Sequence, residues 1–383
     1  MAGRTTTTRT TSVSSAPSAD LTVAPFTFED LAQAYFDCRR HKRNTNSARR
    51  FELNLEENLL DLHDELLAGT YQPGRSICFV VTRPKHREVW AATFRDRVVH
   101  HLLYNRVGAS IEAKFIADSC ACIPGRGTLY AAERLESKVR SVTQNWSRPA
   151  HYLKMDLANF FVTIDKRVLS NQLVRLIDGT WWRRLAVQVL WHDPRTDYEV
   201  RSPRHLFNRV PQHKRLTAQP AHLGLPIGNL SSQFFANIYL DALDQFAKHQ
   251  LRARHYIRYV DDFLLLHESP QQLNEWRSAI EAFLPSLGAR LNPTKTILQP
   301  VDRGIDFVGH VIKPWRRTTR KRTAKEALRR VAAAPSEELR TVANSYFGLL
   351  RQASHSHQDR AALAKVILGR GKSVSGSLTK TYQ

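Results

Sequence analysis

Two adjacent carboxylates, Asp261 and Asp262, stand inside an apolar, strand-forming run that reads Ile257-Arg258-Tyr259-Val260-Asp261-Asp262-Phe263-Leu264-Leu265-Leu266. Uncompensated charge in such a stretch is costly to bury, so the pair needs a partner. Clustered carboxylates with no neighbouring base commonly hold a hard divalent cation, and Mg²⁺ is bound by one or two carboxylates together with substrate phosphates. A second reading is a hairpin turn that uses Asp for its tolerance of positive φ. The local pattern leaves both readings open. A third carboxylate, Asp156, ends the β-type run His151 to Leu157 far earlier in the chain, next to Phe160 and Phe161. No local turn preference accounts for all three, whereas a shared metal site does. Nucleotidyl transfer uses two cations about 4 Å apart, one activating a primer hydroxyl and one holding a triphosphate. Carboxylates from separate strands can form that clamp.

Positioning such a site takes a sizeable core, and the chain has 383 residues, 42% of them apolar. That is enough for two or three domains. The formal charge is +22, which points to a polyanionic partner, nucleic acid first among them. Residues 1–25 are rich in Ser and Thr and carry little charge, as expected of a disordered or processed leader. The dense basic segments lie in the body, at Arg39 to Arg50 and at Lys313 to Arg330, where Glu326 is the single acid. So lopsided a run favours phosphate contact over an ordinary solvated helix face. The four cysteines are too few and too irregular for a disulfide framework or a four-ligand zinc site, so a reducing compartment is expected. No apolar stretch is long enough to span a bilayer, and no signal-peptide core opens the chain, which makes a cytoplasmic protein the expectation.

The patterning predicts helices from Thr27 to Leu67, and an extended Cys78 to Val81 that gives way to a helix from Arg95 to Tyr104, with Pro84 as the break. A further helix is predicted from Ser231 to Gln250, with Phe235, Ile238, Ala242 and Phe246 at helical spacing toward the core. Tyr256 to Leu266 reads as two short strands with Asp261-Asp262 at the bend, and Ile305 to Ile312 as another hairpin. Beyond Lys313 the pattern is helical, with Val342, Tyr346, Leu349 and Leu350 on one apolar stripe. An α/β catalytic body followed by a basic helical domain is the expected order.

From about residue 75 to 350 the chain resembles reverse transcriptases, and the matching elements occur in the family's order. Pro84 to Val89 and Phe94 to Val99 look like fingers motifs, as does Asp118 to Thr128. Lys154-Met155-Asp156-Leu157-Ala158-Asn159-Phe160-Phe161 resembles the first palm motif and Tyr259-Val260-Asp261-Asp262 the signature tetrad. Leu291 to Thr296 and Phe307-Val308-Gly309 resemble the later palm and primer-grip motifs. One Tyr-x-Asp-Asp alone is weak, but a series of matches in this order is specific. The resemblance implies a right-hand polymerase fold, α/β (α+β), with fingers at 26–150, a palm at 151–312 carrying an insertion at about 179–222, and a basic helical thumb at 313–383. It also implies roles. Asp156, Asp261, Asp262 and the Leu157 carbonyl would hold two Mg²⁺ ions, with Mn²⁺ able to substitute. Lys85 and Arg87 would grip the triphosphate of a deoxynucleotide by charge-assisted hydrogen bonds. Phe161 would be the gate against a ribose 2′-hydroxyl, with Phe160 an ordinary core residue. Lys295 would protonate the leaving pyrophosphate, unless it is merely solvated. Gly309, Arg316, Arg317, Arg320, Lys321 and Arg322 would contact nucleic acid.

The turn Leu225-Pro226-Ile227-Gly228-Asn229-Leu230-Ser231-Ser232-Gln233 narrows the resemblance. Most reverse transcriptases have Gln where this chain has Ile227 and Pro where it has Gln233. That departure resembles the enzymes of diversity-generating retroelements, as do Val210 to Leu216 and Asn344 to Leu349. The resemblance implies copying of a template-repeat RNA into cDNA with errors at adenines, through an RNA–DNA heteroduplex, and a small oligomeric accessory variability protein as partner. Two alternatives stand beside it. One is another prokaryotic reverse transcriptase, group II intron-like or phage-defence, with ordinary copying; the turn, and the lack of a maturase or endonuclease extension after residue 383, are expected to disfavour the intron type. The other is a catalytically silent RNA-binding scaffold, which the presence of all three carboxylates disfavours.

Overall fold

The computed structural model describes residues 24–382 apart from His41, Arg43 and Pro84, so the expected leader lies outside the described residues but for its last two positions. The described residues open with three helices: α1 (Phe28–Arg39), α2 (Asn46–Leu53) and α3 (Leu55–Ala68). Thr27 and Asp30 form a reciprocal capping box at the start of α1, and Gly69, with φ +71°, ends α3 in the left-handed conformation. Strands β1 (Ser76–Val81) and β2 (Arg87–Ala91) form an antiparallel hairpin ahead of α4 (Phe94–Glu112), which Thr93 caps. The break expected at Pro84 therefore separates two strands, not a strand from a helix. Alternation over only five residues of β2 is too brief to stand out from the helix that follows it.

Next come α5 (Thr128–Val142), β3 (His151–Asp156), the single turn α6 (Phe160–Thr163), α7 (Lys166–Leu176) and α8 (Thr180–Trp191). The segment around 179–222 continues with β4 (Tyr198–Val200) and α9 (Arg204–Asn208). β4 pairs in parallel with β1, which ties this segment into the sheet of the first hairpin. After α10 (Leu230–Gln245) the chain forms β5 (Tyr256–Tyr259), β6 (Asp262–His267), α11 (Pro270–Phe283) and β7 (Ile297–Pro300). A meander follows, made of β8 (Ile305–Phe307), β9 (His310–Lys313) and β10 (Arg316–Thr319), and then α12 (Lys321–Ala333), α13 (Ser336–Leu350) and α14 (His357–Leu368). β10 corrects the expectation of helix beyond Lys313. It pairs with β9, so the expected domain boundary falls inside one small sheet.

The central sheet has the order β5-β6-β3-β7 and is antiparallel throughout. It divides two apolar layers, because successive side chains of a strand point to opposite faces. Leu153, Met155, Phe263 and Leu265 face a large core with Leu240 and Leu243 of α10, Leu169 of α7 and Val99 of α4. Tyr152, Ile257, Leu264 and Leu266 face Leu135 and Val139 of α5 and, from the meander, Ile305 and Phe307. The last three helices have their own core, in which α13 contributes Leu339, Ala343, Phe347 and Leu350. The buried stripe of α13 thus includes Leu350 as expected, while Val342 and Tyr346 pack only at its margin. On α10, Phe235 and Ile238 are buried and Ala242 is partly covered, as is Phe246 in the π-helical turn Phe246–Gln250 that follows it.

Candidate active site

Register brings the distant carboxylates together. Asp156 ends β3 directly opposite Asp262, the first residue of β6, and Asp262 is in turn opposite Tyr259 at the end of β5. The hairpin turn is therefore Val260-Asp261, one residue earlier than the expected bend. The left-handed residue is Val260, with φ +55°, and neither aspartate. A β-branched side chain is disfavoured there, so the surroundings must hold it. They do so through Arg258, whose guanidinium donates to the Val260 carbonyl at 3.1 Å. The Leu157 amide donates to the Asp261 carbonyl at 3.2 Å and the Asn292 amide to the Asp156 carbonyl at 2.7 Å, which fixes the ends of the two strands to each other and to the segment before β7.

The three carboxylates are electrostatically strained. Asp261 is half-buried, and its carboxyl is pushed up to about 6 by burial, then by Asp156 and Asp262, with Lys295 opposing. Burial raises Asp262 as well, against the pull of Lys154. Two lysines supply partial compensation. Lys295 Nζ donates to both oxygens of Asp156 at 2.6 Å, and Lys154 Nζ lies 3.0 Å from Asp262 Oδ2 while donating to the Asp306 carbonyl at 2.9 Å. One carboxylate more than the nearby ammonium groups remains. The donor set is all oxygen, which suits a hard divalent cation. Among the described residues no three His, Cys, Asp or Glu side chains converge closely enough to enclose a metal ion, and Lys295 sits on the Asp156 oxygens such an ion would take.

Around this cluster, Phe160 is buried and Phe161 is partly so, their rings meeting edge-on at 5.3 Å. The Phe161 carbonyl accepts from the Leu225 amide, which joins α6 to the turn before α10. That turn is clamped to β2. The Trp90 amide donates to the Ile227 carbonyl at 2.8 Å and the Ala92 amide to Asn229 Oδ1 at 3.0 Å. Gly228 has φ +130°, and a Cβ there would come within 2.8 Å of Val89 Cγ1 and 3.0 Å of the Trp90 carbonyl oxygen. Lys85 and Arg87 lie exposed on the same hairpin, and Gln233 is exposed in the first turn of α10. Gly309, with φ +90°, forms the β8–β9 turn beside open space.

The expected basic contacts divide. Arg316, Lys321 and Arg322 are exposed. Arg320 is engaged by Asp306. Arg317 is a correction: it is buried, donates to Glu136 of α5 and to the Gln352 carbonyl at 2.9 Å each, and so is spent on joining β10 to its neighbours. Other residues escaped the sequence reading. Arg258 and Asp244 form a fully buried bidentate pair at 2.7 and 2.6 Å, to which Tyr256, Asn237 and Ser119 add hydrogen bonds. Asp118 gathers Arg134, Lys138 and Lys248. The signal for Arg258 was present, since it is a charge in the same apolar run whose aspartates demanded compensation.

A palm-like antiparallel sheet with carboxylates at one end, a helical and hairpin subdomain before it and a helical subdomain after it make the right-hand polymerase fold. Residues 82–312, more than half of the chain, match the model of the reverse transcriptase (RNA-dependent DNA polymerase) family. The chain belongs to that family, whose members are nucleotidyltransferases that generally work with divalent metal ions, usually Mg²⁺. No curated protein sequence matches the chain. Among solved structures it is similar to apo telomerase from Candida tropicalis truncated from its C-terminal domain, at 12% identity and a TM-score of 0.48, covering 63% of this chain and 53% of that one. It is also similar to telomerase from Candida albicans in complex with a fragment of telomeric RNA, at 14% identity and a TM-score of 0.47, covering 78% and 56%. The chain spans about half the length of these two structures. No helix among the described residues is long and apolar enough to cross a membrane.

Proposed function

We propose that the chain is the reverse transcriptase of a diversity-generating retroelement, copying a template-repeat RNA into cDNA with errors at adenines for transfer into a variable gene region. For polymerisation, the observation that carries the reading is the meeting of Asp156, Asp261 and Asp262 at one end of the β3–β6 pair. These carboxylates would hold two Mg²⁺ ions, with the Leu157 carbonyl as a further oxygen, once Lys295 leaves Asp156. Bound there, the ions would supply activation of the primer hydroxyl and neutralisation of the triphosphate. The chain's own groups do the rest. Lys85 and Arg87 grip the triphosphate, Phe161 excludes a 2′-hydroxyl, and Lys295, released from Asp156, protonates the pyrophosphate. Exposed Arg316, Lys321 and Arg322 and the Gly309 turn follow the heteroduplex backbone. Fingers, palm and thumb take residues 26–150, 151–312 and the remainder, with β10 counted with the sheet it completes. Template RNA, deoxynucleotides, a cytoplasmic setting and an oligomeric accessory protein belong to the same reading.

The subtype rests on Ile227. A Gln at this turn can hydrogen-bond the incoming nucleotide and brace it against the template, whereas Ile227 offers bulk without a polar group. Losing one such bond is worth about 1 kcal/mol, or roughly fivefold to tenfold in discrimination. Ile227→Gln is expected to lower misincorporation opposite template adenine by that factor in a primer-extension sequencing assay. Unchanged error rates in the variant overturn this role for Ile227. A pair of near-identical repeats that differ at adenines in the neighbouring genome is the independent sign of the subtype.

A further inference from the structure

The β8–β9 turn shares an unusual backbone with the turn that carries Asp261. Register pairs Phe307 with His310, so Val308 and Gly309 form the β8–β9 turn, with φ of +45° and +90°. Positive φ at both central positions is the type I′ pattern, which suits Gly309 but not a β-branched residue. Val308 is thus the counterpart of Val260, which takes φ +55° beside Asp261. Strain of this kind persists only where the surroundings over-determine it. Both turns border one apolar layer, in which Tyr259 and Val308 are partly buried and the Tyr259 and Phe307 rings meet edge-on at 6.4 Å.

A polar bridge joins the same two turns. Lys154 lies two residues before Asp156 in β3, so strand alternation sets both on the face of the sheet that meets the meander. Its side chain is mostly covered; Nζ lies 3.0 Å from Asp262 Oδ2 and donates to the Asp306 carbonyl at 2.9 Å. Compensating the charge of Asp262 needs only the first contact. The second reaches β8, next to Phe307. From there the hold extends to the turn, because Arg320 engages the Asp306 carboxylate and its amide donates to the Gly309 carbonyl at 3.0 Å. An aromatic contact tolerates sliding, whereas a hydrogen bond weakens steeply once its angle is lost, so the ammonium is the group that fixes the spacing.

We propose that Lys154 is a positioning residue for polymerisation. By bridging Asp262 to β8 it sets the distance between the catalytic carboxylates and the β8–β9 turn, and with it where the primer's 3′ end meets the metal site. This role rests on the carboxylate site proposed above and not on Ile227. The test uses the full chain, Lys154→Met, Lys154→Arg, Gly309→Ala and the Lys154→Met/Gly309→Ala double variant, with Asp261→Asn alongside. Gly309→Ala distorts the turn through its φ of +90° without a clash, since a Cβ there meets nothing within 4 Å. Single-turnover extension of a DNA primer on an RNA template is followed with Mg²⁺, and binding of the same heteroduplex by fluorescence anisotropy.

Lys154→Met is expected to lower the rate at saturating deoxynucleotide by about 10- to 100-fold, the cost of a small misplacement, while the half-saturating deoxynucleotide concentration and the heteroduplex affinity stay in place. Lys154→Arg, which keeps the charge and the reach, recovers most of the rate. The double variant extends no more slowly than the slower single variant, because both changes break one bridge. Effects that multiply in the double variant overturn the proposal and leave Lys154 as a charge partner of Asp262 alone. An unchanged rate in Lys154→Met, or a loss that merely follows heteroduplex affinity, overturns it as well. Activity retained in Asp261→Asn overturns the carboxylate site itself, whereas activity lost there and kept in Lys154→Met sinks only the bridge. Should Lys154→Met not fold, Lys154→Gln, polar but too short to span both groups, takes its place.

Discussion

Asp261 occupies a two-residue turn, half-buried, with two other carboxylates beside it, and its raised proton affinity follows first from burial and then from that crowding. A bound cation removes the repulsion, so millimolar Mg²⁺ is expected to raise the melting temperature of the parent protein. The gain approaches 3 kcal/mol at about a hundred times Kd, and Asp261→Asn should abolish it in a thermal-shift titration. The same variant should slow primer extension by at least about 10²- to 10³-fold with circular dichroism unchanged, since metal stabilisation of transition-state charge is worth several kcal/mol. Asp241 on α10 gives a cleaner titration. Burial raises it from its ordinary value to about 6. In the unfolded chain it ionises near pH 4, so between about pH 4 and 6 the folded state holds the extra proton and stability falls as pH rises. Asp241→Asn is therefore expected to stabilise the protein at pH 7 by up to about 3 kcal/mol and to leave it unchanged at pH 4, as read by urea unfolding. An equal gap at both pH values would rule this cause out.

At the scale of elements, the β5–β6 hairpin is held by a charge pair that no hairpin rule requires. Arg258 reaches across to Asp244 of α10, to Ser119 in the segment before α5, and back to the Val260 carbonyl of its own turn. One guanidinium thus joins three elements behind the carboxylates. Removing one partner of a buried pair leaves an uncompensated charge, at a cost of about 3–5 kcal/mol. Arg258→Met should show that loss in chemical denaturation, and Arg258→Met with Asp244→Leu should recover much of it because no charge is then stranded. Recovery of stability without recovery of polymerisation would assign Arg258 the positioning of the Val260-Asp261 turn. Local signals were enough to place this hairpin, but not the partner on α10. Asp244 carries no local signal of that pairing, because the helix pattern does not reveal which face a later strand will cover.

Across the whole molecule, the surplus of positive charge is divided between structure and surface. Arg316 and Arg317 are neighbours in β10, yet strand alternation exposes the first and buries the second against Glu136. Arg317→Ala is expected to destabilise the fold by about 1–3 kcal/mol by stranding its partners. Arg316→Ala should leave the melting temperature in place and weaken RNA binding with a shallower salt dependence, which paired thermal and anisotropy measurements separate. The amino-acid sequence by itself determined the helices α1 to α4, the strand that ends on Asp156, the two hairpins and the family motifs, because spacing, caps and turn residues act over a few positions. Only the tertiary structure decided that Asp156 faces Asp262, that Lys295 and Lys154 lean on them, that β4 joins β1, and which arginines remain free. Those outcomes depend on register and burial between segments distant in the chain, and a short-range pattern carries no information about which distant face will meet it.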